Sequence, residues 1–456
     1  MHTWLTSCGV SDDFVGQKTG IENARLKLNG AAMPADHHRI TSYLLAELAK
    51  HGGFEELRSR LKPRTCGASP KVPGHARISP ELVARRWEIL KAPPEAREAL
   101  ESGTTATPME CYQHNIENFI GTVKVPVGLA GPLRVNGLFA QGDYYVPLAT
   151  TEAALVASYS RGAQLITEAG GATAVLLNEG VSRAPAFAFD TLESACLFAS
   201  WAATQIEEFR HAAETTTRHG RLLDLRLAVE GNHVFLHLDF STGDAAGQNM
   251  ATFAADAICR YIETHAPVQP QKHYIEGNFS GDKKASALSF LSVRGKKVTA
   301  EVTVAKPLVE RRLRTTPEDL IRYWQMAAVG GIMSGTIGVQ GHFANGLAAL
   351  YLACGQDVAC VAESAVGVTR FECAGDGSLY ASVTLPNIIV GTVGGGTGLP
   401  SQNACLRLMG LEGPGHARAL AEVCAALCLA GELSICGALC AGDFVRAHMR
   451  LARPHI

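Results

Sequence analysis

The sequence lacks the common motifs of metalloenzymes and of standard dinucleotide-binding folds. Its 456 residues include 13 cysteines, but there is no Cys-x-x-Cys pair and no His-Glu-x-x-His segment. No Gly-x-Gly-x-x-Gly segment follows an apolar strand, so a standard Rossmann site is not supported. We therefore expect no bound metal, and the odd number of cysteines argues against a disulfide framework.

Charged residues are also scarce. They make up 18% of the chain, and the formal net charge is −2. This balance gives no electrostatic support for nucleic acid or an anionic membrane as a partner. The first 20 residues have no apolar segment of the signal-peptide type. The numerous free thiols fit a reducing compartment, which predicts a cytoplasmic protein.

One long apolar run, residues 419–441, has the length of a membrane span. It carries Glu422 and Glu432, and a glutamate is costly in lipid, so the run predicts a buried helix instead. Four cysteines recur in this run at helical spacing among alanines and leucines, and we expect them to be small core residues rather than metal ligands. They are Cys424, Cys428, Cys436 and Cys440.

The order of sequence patterns predicts several segments. Residues 1–80 are an extension and linker to which we assign no role, and residues 81–121 form a helical N-terminal region. Alternating apolar strands with an Asn-Gly turn at 136–137 are followed by a helix over 155–166. Two strands over 222–238, joined at 230–232, precede a helix over 248–265. We expect an α/β fold in which residues 122–184 and 274–456 form a large domain, and 185–273 an inserted small α+β domain.

The residues with the clearest chemical meaning lie far apart in the sequence. A Gly/Ser-rich turn over 278–284 places two lysines beside an aspartate, while two carboxylates and a late histidine occur elsewhere. Hydride addition to a thioester creates an oxyanion that a lysine can stabilise. A carboxylic acid can protonate that oxygen, and a histidine can protonate the leaving thiolate. The four residues concerned are Lys283, Glu152, Asp357 and His448.

Each of these residues also has an ordinary structural explanation. A Lys-Lys pair is commonly a solvated surface turn. Glu152 follows two threonines and is placed to cap a helix, and His448 is placed to favour a helix C-terminus. The choice between the catalytic and the structural explanation therefore depends on the sequence around all four residues.

That wider sequence contains a series of ordered motifs that are highly specific together, although none of them is specific alone. They are Glu117–Gly121, Pro126–Leu133, Ala149–Glu152, Gly243–Asn249, Asp282–Lys284, Gly355–Asp357, Gly391–Thr397 and Ala430–Ser434. In these motifs the chain resembles the class I form of 3-hydroxy-3-methylglutaryl-CoA reductase. The resemblance runs from about Glu117 to His448, roughly three quarters of the chain.

The resemblance implies a role for each matching residue. Lys283 would face the thioester oxygen, Glu152 would donate a proton to it, Asp357 would couple the two, and His448 would protonate the CoA sulfur. Arg183, Glu276, Asp282, Lys284 and Asn345 would surround the acyl group, and Ser158, Arg161 and His342 would contact CoA. The reduced nicotinamide would lie on the small domain, against Asp244, Gly247, Asn249, Gly394, Gly395 and Gly396.

The resemblance also implies a homodimer or a dimer of dimers. In the family, each active site is built from two subunits, so that the segment Glu117–Gly121 of one meets the cofactor turn of the other. The implied reaction consumes two NADPH and converts the acyl-CoA to mevalonate and CoA. Eukaryotic members carry membrane anchors upstream of the catalytic part, and we expect no membrane partner here.

Two departures from the family pattern leave alternatives open. Glu276 replaces a small hydroxyl residue near the substrate's distal carboxylate, and Met326 aligns with a family lysine, although Arg322 lies one helical turn away. This loss of positive charge opposes carboxylate binding. The alternatives are the same reduction of an acyl-CoA that lacks the distal carboxylate, and a catalytically silent CoA-binding relative. Ser241 stands where the family has an arginine for the 2′-phosphate, so NADH is the alternative cofactor.

Overall fold

Helices and strands alternate along most of the chain, as in other mixed α/β proteins. The computed structural model describes residues 46, 50, 54–65, 67–73, 80–101, 112, 115, 122–217, 220–446 and 449. The expectations for Glu117–Gly121 and for His448 concern residues outside these ranges.

The first part of the chain consists of three short helices, a hairpin, and a strand-helix-strand arrangement. Helix α4 confirms the helix predicted over 155–166. The hairpin is also confirmed, but its turn follows the Asn-Gly pair, which ends β1 instead of forming the turn. The elements are α1 (Phe54–Leu61), α2 (Pro80–Glu88), α3 (Pro94–Glu101), β1 (Val127–Gly137), β2 (Gln141–Ala149), α4 (Leu155–Glu168) and β3 (Ala172–Arg183).

The middle part has the two strands and the long helix that the sequence predicts. Strands β5 and β6 pair as a hairpin, and α7 occupies the predicted range of residues. The elements are β4 (Ala186–Ala188), α5 (Leu192–Ala202), α6 (Ile206–Glu214), β5 (Arg221–Glu230), β6 (His233–Ser241), α7 (Gln248–His265) and β7 (Lys272–Tyr274).

The last part returns to longer strands and apolar helices. Short 3₁₀ turns follow Ser286, Asp357 and Gly394. The elements are β8 (Gly295–Val304), α8 (Lys306–Leu313), α9 (Pro317–Ser334), β9 (Gly338–Val339), α10 (Phe343–Ala353), α11 (Val361–Ser364), β10 (Gly367–Cys373), β11 (Leu379–Ile388), α12 (Pro400–Leu408) and α13 (Ala417–Cys440).

A large mixed sheet connects these parts. Within the described residues its order is β7-β4-β6-β3-β8-β11-β10-β9, with β1 beside β3, β2 beside β1, and β5 beside β6. Strand β3 has two neighbours in succession. Residues 173–180 pair with β8, whereas residues 181–183 pair with β6. The end of β3 therefore lies where the two parts of the sheet meet.

The buried apolar residues divide into two clusters. The larger cluster packs β1–β3, β8 and β11 against α4, α10 and α13. The smaller cluster lies between residues 181 and 275 and is rich in phenylalanine. Its rings pack in tilted pairs at centroid distances of about 5–6 Å. The middle part of the chain therefore has a buried apolar cluster distinct from the larger one.

Helix α13 runs through the larger core. Within the described part of the chain it is the one helix long and apolar enough to cross a membrane, but 83% of its most apolar stretch is buried inside the protein. Both of its glutamates accept backbone N–H groups from neighbouring segments. The prediction of a buried helix is confirmed, as is the burial of Cys424, Cys428 and Cys436, while Cys440 is only partly buried.

Candidate active site

The Asp-Lys-Lys turn lies between β7 and β8 and has an unusual backbone. Asn278 and Lys283 have φ angles of 62° and 55°, a region that residues other than glycine seldom occupy. Such conformations cluster at functional sites, where surrounding contacts maintain them. The turn directs the Lys283 side chain towards Asp357, and Nζ lies 2.8 Å from Oδ2.

In this lysine–aspartate pair the structure brings two sequence motifs together. The Asp357 carboxylate also accepts a hydrogen bond of 3.0 Å from the Ala359 amide, which fixes its orientation. The hydrogen bond to Asp357 is the largest influence on Lys283 and raises the pKa of its ammonium group. About two fifths of each side chain is exposed, so the pair remains accessible to a ligand.

A buried chain of opposite charges supports the turn from behind. Arg183 contacts Asp282 at 3.1 Å, and Asp282 contacts Arg294 at 2.6 Å. Arg294 then binds both oxygens of Glu363, at 2.6 and 2.7 Å. The sequence reasoning missed Arg294 and Glu363. Glu363 is an isolated charge in a largely uncharged stretch, which was its only signal, whereas Arg294 stands close to Lys296 and Lys297 and gave none.

Glu276 lies at the other end of this charge chain. Its Oε2 accepts hydrogen bonds from the Ala184 amide at 3.2 Å and the Ser280 hydroxyl at 3.0 Å, and lies 3.5 Å from Arg183 Nη1. The Arg183 guanidinium is therefore shared between two carboxylates. Lys284, by contrast, donates from Nζ to the Asp282 carbonyl at 2.9 Å and is exposed.

Two glycine-rich turns pack beside the lysine–aspartate pair. Residues Ala245 and Val393 form a parallel bridge, and the Thr392 amide donates to the Asp244 carbonyl at 2.9 Å. A Cβ on Gly396 would lie 2.7 Å from the Gly355 carbonyl oxygen, so the turn at Gly355 also packs closely against the triple glycine. The structure thus brings together the predicted cofactor turn, the triple glycine and the segment that carries Asp357.

The predicted cofactor residues occupy different environments within this junction. Asp244 holds the start of α13, because its oxygens accept the Gly415 and Ala417 amides at 2.8 and 3.1 Å. Gly247 has a φ of 83° and begins α7. Asn249, in the first turn of that helix, is exposed. Exposed Gly394 and Gly395 would place a Cβ in open space, so their backbone can be approached closely.

The predicted CoA-binding residues form a second group, around α13. The hydroxyls of Ser158 and Ser434 lie 2.9 Å apart, and Arg161 Nε donates to Ser434 Oγ at 3.0 Å. The His342 amide donates to Glu432 at 2.8 Å, and its ring stacks on Tyr159. The motif Ala430–Ser434 was noted in the sequence without a role. Its polar residues position Ser158, Arg161 and His342.

Glu152 and Asn345 are close in sequence to residues of this second group. Glu152 precedes α4, the helix of Ser158 and Arg161, and Asn345 follows His342. Glu152 is exposed just before α4, whose cap residue Ala154 makes no side-chain capping bond. The capping explanation for Glu152 is therefore not supported. Asn345 lies in the first turn of α10, directly after His342 and Phe343. Among the described residues, no hydrogen bond or ion pair joins the Glu152 carboxylate to Lys283 or Asp357.

Comparisons with known proteins agree with the arrangement of these motifs. A family model described as hydroxymethylglutaryl-coenzyme A reductase matches residues 82–453. The 3-hydroxy-3-methylglutaryl-coenzyme A reductase of Aeropyrum pernix is 46% identical over 350 residues, covering 75% of this chain and 83% of the relative. The protein of that name from Methanothermobacter thermautotrophicus is 43% identical over 416 residues, covering 90% and 96%.

The fold is also similar to that of a solved structure. This is a class II 3-hydroxy-3-methylglutaryl-CoA reductase from Streptococcus pneumoniae, bound to NADPH in open conformations. The TM-score is 0.66 at 22% sequence identity, and the match covers 81% of this chain and all of the other. At this level of identity, the similarity concerns the fold alone.

Proposed function

The chain belongs to the hydroxymethylglutaryl-coenzyme A reductase family, and we propose that it reduces 3-hydroxy-3-methylglutaryl-CoA to mevalonate and CoA. The observation that carries this proposal is the contact of 2.8 Å between Lys283 Nζ and Asp357, beside two glycine-rich turns. A paired but accessible ammonium group is suited to a carbonyl oxygen on which negative charge develops.

When bound, NADPH would supply the hydride for each of two successive reductions. Lys283 stabilises the oxygen of the thioester and later that of the aldehyde. Asp357 holds the Lys283 ammonium group in place, and its hydrogen bond raises the pKa of the lysine further above its usual alkaline value. We assign proton donation at the substrate oxygen to Glu152 and protonation of the departing sulfur to His448, on the basis of the family resemblance.

The residues present fit a nicotinamide dinucleotide. Helix α7 is 18 residues long and begins at a left-handed glycine, so its first amides are available to a phosphate. The exposed backbone of Gly394 and Gly395 lies next to this turn. Arg221 is exposed directly opposite Ser241 and supplies a positive charge near the cofactor turn. This arginine supports NADPH over NADH.

The smaller core supports the proposed domain division. We assign residues 185–273 to an inserted small α+β domain that binds the cofactor, because most of the phenylalanine-rich cluster falls within this range. Residues 122–184 and 274–456 would form the large α/β domain, with residues 81–121 as a helical region before it. Residues 1–80 remain without an assigned role.

We further propose that a second copy of the chain completes each site. Glu152 makes no bond to Lys283 or Asp357 within the described part of one chain. Helix α9 also exposes four large apolar side chains, each more than half accessible, which a subunit contact would bury. They are Met326, Val329, Ile332 and Met333. Light scattering should give a dimer or tetramer, and a fully active monomer would contradict this proposal.

A second substrate class has support from one feature. Arg183 is already shared by Glu276 and Asp282, and Met326 is exposed where the family has a lysine. Arg322 does not replace that lysine through a buried contact, since it is exposed and lies 3.9 Å from Asp319. These features favour an acyl-CoA without a distal carboxylate.

The deciding experiment is a spectrophotometric assay of NADPH and NADH oxidation with several acyl-CoAs. Hydroxymethylglutaryl-CoA should be reduced, with two NADPH consumed for each mevalonate formed. Reduction of uncharged acyl-CoAs alone would identify the second substrate class. CoA binding without any reduction would identify a silent relative.

The cysteines bear on the location of the protein. The ten described cysteines are all free thiols, which supports a reducing, cytoplasmic location.

A further inference from the structure

Two fully buried charges lie outside the motifs that identify the site. Glu363 is 0% exposed and Arg294 is 1% exposed. Burying a charge is unfavourable unless it is paired and hydrogen-bonded, and replacing such a pair with apolar residues is often neutral or stabilising. Stability alone is therefore a weak reason for this pair.

The contacts of Glu363 lead directly to Lys283. Its Oε1 accepts the Lys283 backbone amide at 3.1 Å and, with Oε2, also binds Arg294. Arg294 holds Asp282 with its other nitrogen, at 2.6 Å. Two successive residues of the turn are thus held, one through its amide and the other through its carboxylate.

The segment 357–363 contacts Lys283 at both ends. Glu363 binds the backbone amide, whereas Asp357, six residues earlier, binds Nζ at 2.8 Å. These two contacts span the full length of the lysine side chain. They also account for the left-handed backbone of Lys283, which needs external support.

We infer that Glu363, oriented by Arg294, is a positioning residue that aims the Lys283 ammonium at the reacting carbonyl. This inference rests on the proposed function, because it gives Lys283 a role in reduction. Glu363 itself does not contact the reacting atoms. Its effect is transmitted through the backbone of Lys283 and the shared contact with Arg294.

The test uses Glu363→Ala and Glu363→Gln, with Glu422→Gln as the matched control. Glu422 is another fully buried glutamate that accepts backbone amides, but its partners lie in the β1–β2 turn and β3. Glu363→Ala should lower kcat by about 10²-fold, the effect of misplacing a catalytic group by about 1 Å. Glu363→Gln keeps an oxygen for the amide and should lose less.

In both Glu363 variants, the affinity for CoA measured by calorimetry should stay within about twofold of the unaltered protein, because the CoA-binding group lies around α13. Glu422→Gln should lower the melting temperature while kcat is retained. Glu363→Ala with near-normal kcat would overturn the inference. If Glu363→Ala fails to fold, Glu363→Gln decides in the same way, and an unchanged kcat in that variant would also overturn it.

A second readout does not depend on turnover. The pH dependence of Lys283 labelling by an amine reagent, followed by mass spectrometry, reports the lysine's protonation directly. Because Asp357 raises the pKa of Lys283, a Glu363 variant that loosens this contact should be labelled at lower pH. An unchanged labelling curve would overturn the inference even if the unaltered protein reduced no acyl-CoA. The latter result alone would reject only the proposed function.

Discussion

The two groups of candidate site residues are held in place by different forces. The group around Lys283 is a network of ion pairs, in which Asp357, Asp282, Arg183 and Arg294 each contact an opposite charge. The group around α13 relies mainly on hydrogen bonds, which join Ser434 to its neighbours and which Glu432 accepts from amides of the loop before α10. The ion pairs of the first group set the charge around Lys283, whereas the hydrogen bonds of the second group set the distances between its side chains.

The two groups also differ in backbone conformation. Lys283 lies in a left-handed turn, whereas Ser158 and Arg161 belong to a regular helix. Small residues let the elements of the second group approach closely. A Cβ on Gly162 would lie 1.8 Å from the Ala430 carbonyl oxygen, and one on Gly431 would lie 2.5 Å from the Tyr159 ring. We therefore expect changes in the first group to affect mainly kcat, and changes in the second mainly KM.

Lys283→Ala is the strongest test of this difference. Loss of an oxyanion donor lowers kcat by ~10²–10³-fold, while CoA affinity should be nearly unchanged. Lys306→Ala is the matched control, because Lys306 also lies 2.8 Å from a carboxylate, that of Glu318, and both lysines are 42% exposed. Steady-state assays and calorimetry would measure the two quantities. Near-normal turnover in Lys283→Ala would remove Lys283 from the proposed mechanism.

The local elements near both groups could be predicted from the sequence. The helix after Glu152, the hairpin β5–β6 and the helix α7 follow from periodicity and turn residues, which act over a few positions. The motif resemblance predicted that Lys283 and Asp357 meet, although 74 positions separate them in the sequence. Periodicity and motif resemblance together therefore predicted the central contact of the first group.

The supporting contacts could not be predicted in this way. Glu363 binds Arg294 across 69 positions, and Glu432 binds His342 across 90. No periodicity or turn residue indicates such pairs, because they depend on how distant elements pack. Asp244 shows the same limit. Its contact with the cofactor stays a prediction, but no pattern in the sequence indicated that its carboxylate also holds the start of α13.

Asp357→Asn should give the next largest effect and a distinctive pH dependence. The Asp357 hydrogen bond raises the pKa of Lys283, so its loss lowers that pKa. Since the proposed mechanism needs the ammonium form, the alkaline limb of the kcat profile should move to lower pH. At neutral pH the lysine stays protonated in this variant, and kcat should still fall by ~10²-fold because Nζ loses the contact that holds it in position.

The matched control for Asp357→Asn is Glu318→Gln, which removes the partner of Lys306. It should leave the pH profile of kcat unchanged. An alkaline limb that stays in place in Asp357→Asn would show that Asp357 does not set the protonation of the catalytic lysine. The comparison would then lose its electrostatic basis, even if Lys283 itself proved essential.

Ser434→Ala tests the second group. The change removes a hydroxyl that contacts Ser158 and accepts from Arg161, while the backbone carbonyl of residue 434 still accepts from Arg161. A net loss of about 1 kcal/mol corresponds to a rise in KM of about fivefold. Ser160→Ala is the control, because Ser160 lies on α4 with Ser158 and Arg161 but donates its hydroxyl to the Gly131 carbonyl. A fall in kcat with unchanged KM would contradict the proposed division between the two groups.

Glu276→Ser should have the smallest effect and tests whether the first group also selects the acyl chain. Glu276 shares Arg183 with Asp282, so its removal leaves the guanidinium freer to bind the distal carboxylate. Partly exposed ion pairs contribute up to about 1 kcal/mol, and we expect KM for hydroxymethylglutaryl-CoA to fall about threefold. The change in kcat should be smaller, because the acyl tail lies away from the carbonyl.

Glu372→Ser is the control for this change. It breaks the exposed pair with Arg370 and should leave KM unchanged. If the unaltered protein already binds hydroxymethylglutaryl-CoA tightly and Glu276→Ser weakens it, Glu276 serves to orient Arg183, and the uncharged substrate class loses its support.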